Sequence, residues 1–263
     1  MAIEIKYKAN TAMCTINTAN SNLNGSGTLG TLLTASEKGT IIKTIIIKAQ
    51  TDTSDGIIRL FIYNNDLEKS FLIMEVPVNA VTKSSRDCSF SRVIPWNYEM
   101  QNGDILKVST QNAETFNIIA EGLDYYYPDS YTEDSIEYES FTGLASIFTA
   151  NSNLDGSGTI VNVLTSHNSP ILGCEISSIK IKATQNTTPG MVRLFIKDSE
   201  ISFLFAEVLI PYSKYSSSTP SFSYEVIRIG SFYIQAGFSI LASTQNAETF
   251  NVIIESSEWS YLN

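Results

Sequence analysis

A single histidine, His167, is all that the 263 residues contain. A nucleophilic triad needs an oriented imidazole, and His167 stands in an expected loop between Ser166 and Asn168, where a lone histidine is far more often a polar surface residue. Cysteine is nearly as scarce. Cys14, Cys88 and Cys174 show neither a CxxC spacing nor a Cys/His grouping, which argues against zinc. Basic residues are few, 17 Lys and Arg against 27 Asp and Glu, for a net charge of −10. Nucleic-acid binding needs a basic stripe that displaces phosphate counterions, and Lys43, Lys48, Lys180 and Lys182 form none. No apolar run is long enough to span a bilayer. The opening Met-Ala-Ile-Glu-Ile-Lys lacks the basic and apolar regions of a secretory signal. These features point to a chain made in a reducing cytoplasm, with its thiols free.

Charged residues make up 17% of the chain, against about 25% in a typical soluble protein. Ser, Thr and Asn supply much of the polarity instead. Helical spacing of apolar residues is missing as well, and almost every periodic segment alternates with period two.

What is present is present twice. Thr-Ala-Asn-Ser-Asn-Leu-(Asn/Asp)-Gly-Ser-Gly-Thr runs from Thr18 and again from Thr149. Arg-Leu-Phe-Ile occurs at Arg59 and Arg193, and Ser-Thr-Gln-Asn-Ala-Glu-Thr-Phe-Asn at Ser109 and Ser243. The order is the same in both halves, at an offset of 131 to 134 residues. A period of that length is the size of a domain, so an internal duplication fits better than a solenoid.

In the first copy, alternation marks strands near Met13–Thr18, Thr28–Thr34, Ile41–Ala49, Ile57–Tyr63, Ser70–Val76, Cys88–Ile94, Asp104–Thr110 and Thr115–Glu121. The second copy repeats the set, with turn signals such as Asn24-Gly25, Asn102-Gly103 and Asp155-Gly156 in between. Eight short strands per copy predict an all-β chain of two tandem antiparallel β-sandwiches, jelly-roll-like, with no helix. The expected domains are residues 1–124 and 142–263. Residues 125–141 form an acidic, tyrosine-rich linker whose rings pack. Ile45-Ile46-Ile47 breaks the alternation and predicts a strand covered on both faces.

The repeated residues are the candidate site positions. In the Asn-rich segment, Asn22, Gly25 and Gly27 match Asn153, Gly156 and Gly158. The spacing resembles half of a calcium loop, but its twelfth position is Thr31 or Asn162, where such loops require a bidentate Glu. No P-loop lysine or helix follows, so a turn with left-handed glycines is expected. In the second motif, Leu60 and Ile62 should face the core, leaving Arg59 and Phe61, like Arg193 and Phe195, on the other face. Arg59 either stands exposed, the commoner fate of arginine, or pairs with Glu75, whose counterpart is Glu207. In the third motif, Gln-Asn-Ala-Glu reads as a hairpin turn, with Asn112 and Asn246 supporting the turn and Glu114 and Glu248 solvated. Phe116 and Phe250 then point into the core. No residue set implies a cofactor, metal or catalytic pair. Trp96 with Tyr98, and Trp259 with Tyr261, could stack on a sugar, but they lie at non-equivalent places in the two copies.

As a set, the three motifs, clearest at Thr149–Thr159, Lys182–Ile196 and Ser243–Ile253, resemble auxiliary capsid and head proteins of tailed bacteriophages of the crAss-like type. The resemblance covers most of both copies. The first copy departs from it where Gln50–Asp55 replaces the Thr-Thr-Pro stretch. It implies a non-enzymatic virion structural protein, a decoration protein on the capsid exterior, assembled in the bacterial host cytoplasm. Its implied partners are the major capsid protein, other virion proteins or further copies of itself, with no membrane or nucleic acid. The alternative is a glycan- or receptor-binding module of a head fibre or tail.

Overall fold

A computed structural model of the chain describes residues 6–84, 86–126, 136–168, 171–214, 221–226 and 232–261. Those residues contain strands and no helix, so none has a helix able to cross a membrane. The chain divides into two compact units, 1–83 with 89–132, and 84–88 with 133–263.

The first unit contains β1 (Lys6–Ile16), β2 (Gly30–Thr34), β3 (Thr40–Ala49), β4 (Gly56–Asn64), β5 (Lys69–Val78), β6 (Ser91–Met100), β7 (Ile105–Thr110) and β8 (Phe116–Tyr126). They form two antiparallel four-stranded sheets, β1-β8-β3-β6 and β2-β7-β4-β5. This interleaved order is the jelly roll, in which consecutive strands alternate between facing sheets except at the β4–β5 hairpin and enclose one core. Ile42, Ile45 and Ile47 of one sheet and Ile58, Leu60 and Ile62 of the other supply that core, closed by Phe116, Ile118 and Ala120. Ile46 is buried along with Ile45 and Ile47, so the unbroken isoleucine run does mark a strand covered on both faces.

The second unit contains β9 (Ile136–Ile147), β10 (Val161–Thr165), β11 (Ile171–Ala183), β12 (Gly190–Lys197), β13 (Ser202–Ile210), β14 (Ser223–Val226), β15 (Phe232–Ile234), β16 (Ser239–Thr244) and β17 (Phe250–Tyr261). Its sheets run β14-β11-β17-β9, with β15 also on β11, and β10-β16-β12-β13. With β14 and β15 standing where β6 stands, the two strand orders are the same.

The irregularities repeat too. The register shifts between Ile42 and Thr44, between Leu60 and Phe61, and between Thr31 and Leu33. It shifts again between Ile176 and Ser178, Leu194 and Phe195, and Asn162 and Leu164. Bulges re-aim the side chains that follow them, so both copies turn the same residues inward.

The expected linker needs correction at its ends. Tyr125 and Tyr126 belong to β8 and pair with Tyr7 and Lys6, and Tyr125 packs its ring on Tyr7 at 5.6 Å. Residues 136–141 belong to β9 and pair along β17. Backbone pairing captured these stretches because the neighbouring strand extends that far. Residues 127–135 lie outside the described residues.

Candidate functional site

The three repeated motifs, far apart along the chain, meet in each unit. Their centre is an asparagine. Asn20 is buried and donates from Nδ2 to the carbonyls of Ser26 (2.9 Å) and Thr28 (2.8 Å). Its Oδ1 accepts from the Asn22 amide at 3.0 Å. Asn151 repeats these bonds with Ser157, Thr159 and Asn153 at 2.8, 2.9 and 2.9 Å. One buried side chain thus ties two carbonyls and one amide of the loop to a single point. Gly27 (φ 80°) and Gly158 (φ 76°) lie against that amide, and an added Cβ would come within about 3 Å of it. Here glycine is required both for its left-handed backbone and for space.

Asn22 and Asn153 sit further out and donate to the hydroxyls of Ser26 and Ser157 at 3.0 and 2.8 Å. Asn24 and Asp155 accept from the same serines. Those bonds from Ser157 hold the Asp155 carboxyl below the usual carboxylate range. The side-chain oxygens that a calcium ion would use are therefore engaged within the loop. Among the described residues no three His, Cys, Asp or Glu side chains form a group that could hold a metal.

The Asn-rich loop is fastened to the other two motifs. The Asn20 amide donates to the Thr110 carbonyl (2.7 Å), and that of Asn151 to Thr244 (2.8 Å). Arg59 donates from Nη1 to the Asn20 carbonyl at 3.4 Å and from Nε to Glu75 at 3.0 Å. Arg193 does the same to Asn151 (3.1 Å) and Glu207 (3.0 Å), and adds Gln245 at 3.4 Å. Both arginines are buried. This corrects the expectation of an exposed arginine and agrees with its alternative, pairing with Glu75 or Glu207: the loop folds over the outer face of the sheet, and the guanidinium meets two acceptors there in the first copy and three in the second. Phe61 and Phe195 beside them are buried for the same reason.

The Gln-Asn-Ala-Glu segments are not hairpin turns. β7 and β8 lie in different sheets, as do β16 and β17, so each segment is a crossover. Nor is the glutamate left to solvent. Glu114 accepts from the Ser54 amide at 2.7 Å and from its hydroxyl. Glu248 accepts likewise from Thr188, again at 2.7 Å for the amide. Asn112 donates to the Ser54 hydroxyl (3.2 Å) and the Asp55 carbonyl (3.1 Å), and Asn246 to Thr188 (3.1 Å) and Pro189 (3.2 Å). The crossover is thereby tied to the loop between the third and fourth strands. Phe116 and Phe250 begin the next strand and are fully buried.

The hydroxyls of Ser109 and Ser243, directly across the ladder from Arg59 and Arg193, are buried with no partner. They are the one repeated polar group in the cluster that is left unpaired.

Sequence reading singled out Asn22 and Asn153 and missed the neighbours that organise the loop, Asn20 and Asn151. The only available signal was their recurrence inside the same motif.

The remaining candidates do not converge on this cluster. Trp96 stacks on Tyr98 at 4.7 Å and packs against the core. Trp259 is buried, edge-on to Tyr233, so it offers no open platform. The side chain of Tyr261 lies outside the described residues. Burial pushes the thiols of Cys14 and Cys174 up to about 12, so both stay protonated. None of the three cysteines is in a disulfide.

No protein-family model matches the chain, and no curated protein does. Solved structures align with it at low identity. A triple jelly-roll turret protein of an archaeal virus is 8% identical, with 97% of this chain covered and a TM-score of 0.29. This chain spans 57% of the length of that protein. The glycosylasparaginase PNGase F of Flavobacterium meningosepticum is 12% identical, covering 95% of this chain and 96% of its own, with a TM-score of 0.26. The major capsid protein P2 of bacteriophage PM2 is 8% identical, covering 97% and 98%, with a TM-score of 0.22. At these scores the alignments carry no argument about activity.

Proposed function

We propose that the chain is a non-enzymatic virion structural protein, a decoration protein held on the exterior of a phage capsid through both of its jelly rolls. One observation carries this reading. In each copy the central asparagine, the arginine and the crossover Asn and Glu of the three motifs are engaged within the same copy, so these duplicated residues act as fastenings of the fold. What the duplication doubles is therefore an entire outer surface. Two linked surfaces suit a lattice of similar neighbours, because the second contact becomes intramolecular once the first is made. The virion assignment itself rests on the resemblance of the motif set to crAss-like phage head proteins.

The partners in this reading are the major capsid protein and neighbouring virion proteins. The test is cosedimentation with capsids stripped of the protein. The full chain should bind, and the separated halves Met1–Tyr127 and Glu139–Asn263 should each bind far more weakly. Equal retention of one unit and the whole would remove the bivalent mechanism. Binding to a glycan array, with none to capsids, would replace the reading with a receptor-binding one.

A further inference from the structure

The chain's sole histidine is gripped by a buried carboxylate. Glu258 of β17 is 4% exposed. Its Oε1 accepts from the His167 backbone amide at 2.7 Å, and its Oε2 lies 2.7 Å from His167 Nδ1. One carboxylate thus holds both the backbone and the ring of a residue in the loop between β10 and β11. That loop is a junction. Ser166 exchanges backbone bonds with Phe238 (2.9 Å) and Gly237 (3.1 Å), and Asn168 accepts from Ile171 at 3.2 Å. The placement of His167 therefore bears on the start of β11 and on the turn before β16.

The first copy solves the same problem without a titrating donor. Asp124 on β8 occupies the place of Glu258: it lies opposite Thr40 and Lys8, as Glu258 lies opposite Cys174 and Glu139. Asp124 accepts from the Thr40 hydroxyl at 2.5 Å and from the Asn10 amide at 2.9 Å. Thr40 in turn accepts from the Ser36 amide at 3.0 Å, which carries the connection to the loop. In the second copy a cysteine stands where Thr40 stood. A thiol is a weak donor, and His167 supplies the missing bond.

We propose that His167 and Glu258 form a proton-operated latch present in the second copy alone: the imidazolium pins the Ser166–Asn168 loop to β17, and loss of its proton loosens that loop and the turn at Gly237. The titratable groups packed around the pair are Glu258 itself, Glu139 from β9, and Glu175 and Cys174 from β11. Glu258 and Glu139 favour the charged ring, while Glu175 acts on the Cys174 thiol, which stays neutral. The hydrogen bond to Glu258, then the charges of Glu258 and Glu139, raise the imidazole above its ordinary value. A raised folded value fixes the sign. The stabilisation is complete below about 6.5, the value for a free histidine, and is lost as pH rises through the higher folded value. The donors on Asp124 do not titrate near neutrality, so the first copy has no such dependence.

A single histidine makes the test direct, because the full chain shows one imidazole titration by NMR. The midpoint should lie above about 6.5 and fall in Glu258→Gln. Hydrogen-exchange protection factors at Ser166, His167 and Gly237 should drop as pH rises through the midpoint, while those at Ser36 and Gly39 stay level. His167→Gln, which keeps the backbone bond but removes the titrating ring, should make protection in the second copy equal on both sides. A midpoint at or below the free-histidine value would overturn the latch. So would a midpoint unmoved in Glu258→Gln, or loop protection independent of pH in the unmodified chain.

Discussion

Two jelly rolls with the same strand order, three shared bulges and the same internal fastenings differ in how those fastenings are covered. Glu75, the partner of Arg59, has a side chain 43% exposed, whereas Glu207, the partner of Arg193, is 3% exposed. Leu23 of the first Asn-rich loop is 55% exposed, and its counterpart Leu154 is 6% exposed. The reason lies across the sheet. Phe195 pairs with Leu241, and Leu154, Leu204 and Ile160 close an apolar cluster on them. Phe61 pairs instead with Lys107, whose ammonium turns 4.2 Å over the ring of Tyr63. An ammonium cannot be buried under the loop without a partner, so the first copy leaves that cluster open. Residues common to both copies hold the fold, and residues that differ decide how dry each fastening is.

That difference can be broken experimentally, because Trp96 lies in the first unit and Trp259 in the second. Single-tryptophan variants then report urea unfolding of each unit separately. The largest contrast is expected at the arginines. Arg193→Ala strands a buried Glu207 and should cost about 3–5 kcal/mol. Arg59→Ala leaves a half-exposed Glu75 and should cost less, about 1–3 kcal/mol from lost hydrogen bonds. Equal losses would show that carboxylate burial does not govern the pair.

The leucines come next. Leu154→Ala removes a member of a closed cluster and should cost about 2–5 kcal/mol, while Leu23→Ala should stay within about 0.5 kcal/mol. A large loss at Leu23 would mean that the open cluster is closed in solution. The loop asparagines test the opposite case. Asn20→Ala and Asn151→Ala should each cost about 1–3 kcal/mol, by similar amounts, since their bonds are the same. A marked inequality there would break the equivalence of the fastenings.

The smallest effect belongs to the exposed trio of the second copy. Lys180 lies 2.6 Å from Glu255 and 3.9 Å from Glu225, with all three side chains between about a third and a half exposed. Lys180→Ala should lower stability least of all these variants, because solvent screens an exposed pair, and the loss should fade with added salt. A salt-independent loss would point to packing of the lysine stem.

Alternation of apolar residues located the strands because a strand with one face on a core must alternate. It could not say which strands pair. The Gln-Asn-Ala-Glu segments show why: a short polar stretch between two strands reads as a hairpin, yet it crosses between sheets when the flanking strands have their partners elsewhere. Burial of Arg59 and Arg193 was illegible for a related reason. The loop that covers them begins about forty residues earlier, and nothing in Arg-Leu-Phe-Ile announces it.

The sequence by itself determined that the chain is a doubled unit of antiparallel strands, because repeat order and period-two alternation are properties of the string. Only the tertiary structure decided that the three motifs are one assembly, that Asn20 and Asn151 stand at its centre, and that the sole histidine answers a carboxylate ninety-one residues away. Hydrogen bonds and burial depend on distances in space, and folding brings together groups whose separation along the chain carries no trace of it.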